Sequence, residues 1–114
     1  MKKHEQRKLS NLVRDFVDNN DGTRSRDGAA YELSLQTKAG ELRISPMGDW
    51  IACRFTDVDL AKTTLGDDPS LNRHSGKWNF HYHGDFTAKL AFELFEARVR
   101  PLLEHNLSVS PPYP

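Results

Sequence analysis

Residues 77–83, KWNFHYH, alternate without a break. Trp78, Phe80 and Tyr82 fall on one side of an extended chain; Lys77, Asn79, His81 and His83 fall on the other. Successive side chains on a strand point to opposite faces, and aromatic residues favour strands, so this stretch reads as a half-buried strand. Its aromatic side belongs in a core. Its other side carries two imidazoles, an amide and an ammonium that water or a ligand must satisfy. A chain built around such a strand needs a sheet with one wet face and helices to cover the other.

The rest of the chain supplies both. Leu9, Leu12, Val13, Phe16 and Val17 form one stripe of 3.6-residue period, predicting an amphipathic helix over about residues 3–18. Residues 19–30, NNDGTRSRDGAA, read as a polar connecting loop that carries Arg24 and Arg26. Three strands are expected next, on Tyr31/Leu33/Leu35, on Leu42/Ile44 and on Ile51/Cys53/Phe55, with a tight glycine turn at residues 38–40. Thr56 opens a short helix bearing Val58, Ala61 and Leu65, and Gly66 closes it. Residues 66–76 form a loop anchored by Leu71. The last helix is expected from about residue 85 to 105 with Asp85 as its N-cap, and Pro101 should interrupt it. It has two apolar lines. Phe86, Leu90, Leu94 and Ala97 form a narrow one; Ala88, Ala91, Phe92, Phe95, Val99, Leu102 and Leu103 form a broad one. One side suits the sheet, and the other the first helix or a second copy in a homodimer.

The expected fold is therefore α+β. It is a two-layer sandwich with a four-stranded, mostly antiparallel sheet and helices on one face, in the order α-β-β-β-α-β-α. A single domain over residues 1–107 and a flexible proline-rich tail over 108–114 follow from a length of 114 residues and the ending SVSPPYP. The pattern puts Tyr31, Leu33, Leu35, Leu42, Ile44, Ile51, Cys53, Phe55, Trp78, Phe80 and Tyr82 on the core face. Glu32, Ser34, Gln36, Arg43, Ser45, Trp50, Arg54, Lys77, Asn79, His81 and His83 take the open face. Trp50 stands out there, because a large apolar group on a wet face often marks a contact surface.

Sixteen basic and sixteen acidic residues cancel, so electrostatic binding must come from local patches. The one cysteine excludes an internal disulfide, and its place among core residues makes it a buried hydrophobe. Apolar runs are too short for a membrane span, and the basic start is interrupted by Asn11, Arg14 and Asp15, unlike a signal peptide. A cytoplasmic protein is expected. His81, His83 and Asp85 superficially resemble part of the metallo-β-lactamase motif, but Phe86 stands where that motif continues with histidine. No metal or cofactor is expected, and no phosphate-binding glycine loop, CxxC pair or HExxH motif occurs.

Two segments carry a resemblance. Residues 50–55, WIACRF, and 72–81, NRHSGKWNFH, are similar to small uncharacterised proteins of bacterial plasmids and phages. These pair a W-(I/V)-A-x-R-F strand with an N-x-x-S-G-K-W-N-x-H segment. The similarity spans about residues 41–83 and implies no site residues. It does imply a setting in which small proteins bind a host or element complex, including as inhibitors.

The functional expectation is a binding protein without catalysis that engages a protein partner through the polar sheet face and the 66–76 loop. Its binding residues are Trp50, Arg54, Arg73, His74, Lys77, Asn79 and His81. Two alternatives use the same face. One is a nucleic-acid reader that stacks on Trp50 beside Arg43, Arg54 and Lys77. The other is a small enzyme built on His81 and His83.

Overall fold

The computed structural model describes residues 1–27 and 30–103. Helix α1 (Lys3–Asn19) precedes four consecutive strands: β1 (Thr23–Asp27), β2 (Ala30–Thr37), β3 (Gly40–Pro46) and β4 (Trp50–Phe55). Helix α2 (Val58–Leu65), strand β5 (Phe80–His81) and helix α3 (Ala88–Val99) follow, with a turn of 3-10 helix over Arg100–Leu102. The strands pair in chain order, every neighbour antiparallel, so the sheet is a five-stranded meander.

The expected α+β fold with an antiparallel sheet is present, but with five strands rather than four and in the order α-β-β-β-β-α-β-α. The added strand is β1, inside the predicted 19–30 loop. Its sequence TRSRD has no apolar residue to betray it, because β1 lies at the sheet edge and its Thr23, Arg24 and Ser25 are exposed. Charged side chains suit an edge, since they discourage pairing with another chain. Arg24 is ion-paired to Asp18 at the end of α1.

The core lies on one face of the sheet. Leu33, Leu35, Leu42, Ile44, Ile51, Cys53, Phe55, Trp78, Phe80 and Tyr82 are all buried in one cluster with α1 and α3; the side chain of Tyr31 lies outside the description. Phe95 of α3 meets Phe80 of the sheet and Phe16 of α1, each at 5.9 Å between ring centres. The broad apolar line of α3 thus takes both the sheet and α1. The narrow line is not covered in the single chain: Leu90 and Leu94 remain 46% and 45% exposed. Of the two covers expected for it, the first helix packs on the broad line instead. Glu5 fastens the two helices at their ends, accepting the Ala88 N–H at 2.8 Å.

Two helix starts also differ. Asp57, not Thr56, caps α2, accepting from the Leu60 N–H at 3.0 Å. Thr87, not Asp85, caps α3, accepting from Leu90 at 3.2 Å. Phe86 packs edge-on against Tyr82 at 5.4 Å, so the chain is still turning into the core where the sequence expected helix. At the other end Pro101 converts α3 to a 3-10 turn. The expected proline-rich tail lies outside the described residues, as does the 104–107 end of the expected domain.

The last strand is placed antiparallel beside β4. Regular pairing is confined to Phe80–His81, yet one register continues on either side of it. Phe55 N–H donates to Gly76 O (2.9 Å), Trp78 N–H to Cys53 O (2.8 Å) and Tyr82 N–H to Asp49 O (2.8 Å). The Cys53 N–H is met by the side chain of Asn79, whose Oδ1 lies 3.0 Å away. Gly76 is required where the loop joins this ladder. Its φ is +80°, and a Cβ there would lie 2.5 Å from Phe55 O.

Trp78 locks the register. Its ring is buried between Phe55 (5.2 Å) and Phe80 (4.8 Å), with the Arg98 guanidinium 5.4 Å above it. Its Nε1–H donates to Asp68 Oδ2 at 3.3 Å, and Arg98 of α3 pairs with the same oxygen. Burial works against the Asp68 carboxylate, but bonds from Arg98, the Ser70 N–H and Trp78 outweigh it and hold its pKa below the ordinary 3.8. The ionised form therefore stabilises the fold fully above that value, and its contribution is lost as pH falls through the lowered pKa. Asp68→Asn is expected to cost about 1–3 kcal/mol at neutral pH. Urea midpoints for variant and wild type should draw together as pH falls below the ordinary 3.8; parallel curves throughout the acid range would show that the carboxylate charge contributes nothing.

Candidate functional site: the open face of the sheet

Every described strand shows its second face without a helix lying on it. Because β3, β4 and the 76–82 segment pair in fixed register, the open face is laid out in rows. Arg43 stands opposite Arg54, and Arg54 opposite Lys77. The next row holds Ser45 opposite Ala52, with Asn79 beyond them. The third holds Trp50 opposite His81. The small side chains of the middle row leave a hollow of about 230 Å³ between the cationic row and the aromatic one, lined by Arg43, Ser45, Trp50, Arg54, Lys77 and Asn79 among others.

The cationic row is unevenly neutralised. Arg43 has two carboxylates, Glu32 at 3.2 Å and Glu41 at 3.5 Å. The Ser34 hydroxyl, 2.7 Å from Glu41, and Arg43 beside it hold the Glu41 pKa below its ordinary value. Arg54 and Lys77 have no hydrogen-bonded or ionic partner for their side chains among the described residues, and both are exposed. Two like charges directly opposite each other across a strand pair disfavour the sheet.

The aromatic row explains Trp50. Its ring stacks on His81 at 5.2 Å with planes 14° apart, and His81 stacks in turn on His83 at 5.4 Å. His83 Nδ1 lies 2.7 Å from Asp49 Oδ2, and this contact holds the Asp49 carboxyl below its usual range. The tryptophan is half-buried because its neighbour covers one face. Asn79 spends its carbonyl oxygen on the Cys53 N–H, which leaves its NH₂ as the group it can offer a ligand.

Trp50, Arg54, Lys77 and Asn79 thus meet around one hollow, with His81 behind Trp50. Arg73 and His74 do not join them. Arg73 donates to Gly66 O at 2.6 Å, bracing its own loop, and the His74 N–H is taken by Asn72 Oδ1 at 2.9 Å. The 66–76 loop works as a strut for the last strand. Glu32 and Ser45, which alternation puts on the open face, also line the hollow, and Asp49 joins the aromatic row through His83, a contact that only the pairing of strands brings about. Among the described residues no three His, Cys, Asp or Glu side chains converge as a metal site, and His83 turns to Asp49 rather than Asp85. Cys53 faces the core, and burial pushes its thiol well above the ordinary range. Among the described residues no helix is long and apolar enough to cross a membrane.

Compared with known protein families, curated proteins and solved structures, the chain matches none.

The like-charge row makes a prediction opposite to that for a structural residue. Arg54→Glu alternates the charges of the row and should raise the unfolding free energy by roughly 0.2–1 kcal/mol at low salt. Chemical denaturation of the two proteins checks it, and a loss of stability would mean that Arg54 serves the fold.

Proposed function

We propose that this is a non-catalytic binding protein that captures a partner protein on the open face of its sheet. The observation that carries the reading is the row of Arg54 opposite Lys77, held without counter-ions beside a hollow walled by Trp50. A cost to stability kept at one place on a surface marks a site with another use. The aromatic wall, the cations and the free amide of Asn79 match the composition of contact surfaces, which favour tryptophan and arginine. The binding residues of this reading are Trp50, Arg54, Lys77, Asn79 and His81; Arg73 braces the 66–76 loop. The resemblance of residues 50–55 and 72–81 to small plasmid and phage proteins supports a setting in a mobile genetic element, with the protein acting as inhibitor or accessory factor in the bacterial cytoplasm.

One observation favours a second reading. The Trp50–His81 stack beside two cations is also what a single-stranded nucleic acid would use. The carboxylates Glu32 and Glu41 on the same face weigh against it.

Co-purification from bacterial lysate with the tagged protein separates the two. The Trp50→Ala/Arg54→Ala/Lys77→Ala variant should keep a cooperative thermal transition and lose a partner protein that survives nuclease treatment. Retention of every partner at wild-type strength would remove the sheet face as the site. Recovery of nucleic acid, with affinity falling steeply as salt rises, would establish the second reading instead.

A further inference from the structure

We infer that the 79–81 edge of the sheet takes an extended acidic segment of the partner as a sixth strand, whose carboxylates are received by Lys77 and Arg54. This rests on the reading of the open face as a binding surface and names the chemistry that the surface accepts.

The edge comes from the backbone. The N–H groups of Trp78 and Tyr82 point inward to Cys53 and Asp49. Alternation along a strand then sends those of Asn79 and His81 outward. Neither outward N–H has a partner among the described residues. The 66–76 loop stops short of them: its last bond to this edge is Asn72 N–H to Lys77 O at 2.7 Å. The sheet's opposite edge is different, since β1 carries the charged side chains of TRSRD and Arg24 is tied to Asp18. The 79–81 edge bears no acidic or proline residue to repel an added strand.

The acidity comes from the charge layout. Glu32 and Glu41 sit with Arg43 on the β2–β3 side, and Asp49 is held by His83 beyond the aromatic row, so none of these carboxylates reaches Arg54 or Lys77. The row of Arg54 and Lys77 next to the 79–81 edge is cationic. An added strand would lie about 4.8 Å from the 76–82 segment and about twice that from β4, within reach of the long side chains of Lys77 and Arg54. Its open-face residues would stand beside Lys77, Asn79 and His81. Carboxylates there would neutralise the two opposed cations, while main-chain bonds to Asn79 and His81 would supply pairing without regard to sequence. A nucleic acid fits less well, because two uncompensated cations do not track a phosphate chain.

The test uses the ¹⁵N-labelled 114-residue chain and three probes: a synthetic peptide alternating glutamate with valine and threonine, the same peptide with lysine for glutamate, and oligo(dT). The expected result is binding of the acidic peptide alone, with the amide signals of Asn79 and His81 shifted and protected from exchange. Affinity should fall about tenfold or more in Lys77→Glu and in Arg54→Glu, neither of which disturbs a buried group. Equal binding of the acidic and basic peptides overturns the inference, as do oligo(dT) as the preferred probe, shifts confined to the Leu90–Leu94 surface, or no peptide binding into the millimolar range. Should the acidic peptide fail while the triple alanine variant still loses its partner, the strand addition falls and the binding face stands. Should the peptide bind as expected while partner capture ignores the triple variant, the edge stands and the face loses its role.

Discussion

The indole of Trp78 holds the last strand in place, and the open face inherits its layout from that anchorage. Only Phe80 and His81 form a regular ladder with β4, too little to fix a strand. Burial of the indole against Phe55 and Phe80 supplies the missing free energy. The Asp68–Arg98 pair gives the indole N–H and the 66–76 loop a common attachment to α3. Asn79 completes the pairing by standing in for a backbone carbonyl. Moving this segment by one residue would send Trp78, Phe80 and Tyr82 to water, because side chains alternate. The register is therefore defended from the core side, and the arrangement of the polar side follows from it.

This division of labour accounts for nearly every residue type in the segment NRHSGKWNFH. Asn72 accepts the His74 and Ser75 N–H groups and shapes the turn; Ser75 accepts the Lys77 N–H; Gly76 lets the backbone pass Phe55 O. Trp78 and Phe80 build the core, Asn79 mends the ladder and His81 supports Trp50. In WIACRF the inward residues are core, Ala52 floors the hollow and Trp50 stacks. Lys77 and Arg54 are left with no structural duty, and they stand opposite each other. That unbalanced pair is the feature on which the proposed binding face rests.

Much of this was legible in the sequence, for physical reasons. Period-two alternation has a cause in strand geometry, so the core face could be read from Leu33 to Tyr82, and the same alternation put Trp50, Arg54, Lys77 and Asn79 on one open face. The strand β1 was not legible because an edge strand that buries nothing carries no pattern. The start of α3 was misjudged because Asp85 and Thr87 are both good caps, and the choice between them depends on Phe86 meeting Tyr82. The opposition of Arg54 and Lys77 could not be read, since it depends on a long-range pairing set by Trp78, Asp68 and Arg98. Arg73 is near the site in sequence, but its guanidinium donates to the Gly66 carbonyl within its own loop.

The claim that the open face keeps an uncompensated like-charge pair is tested most directly by a double-mutant cycle. Unfolding free energies would be measured for wild type, Arg54→Ala, Lys77→Ala and the double variant, at low and high salt. Each alanine relieves the same repulsion, so the double variant should gain less than the two single variants summed. The expected coupling is roughly 0.2–1 kcal/mol, shrinking as salt screens it. Additive effects, or a coupling of the attractive sign, would contradict the account and return both side chains to the ordinary solvated surface.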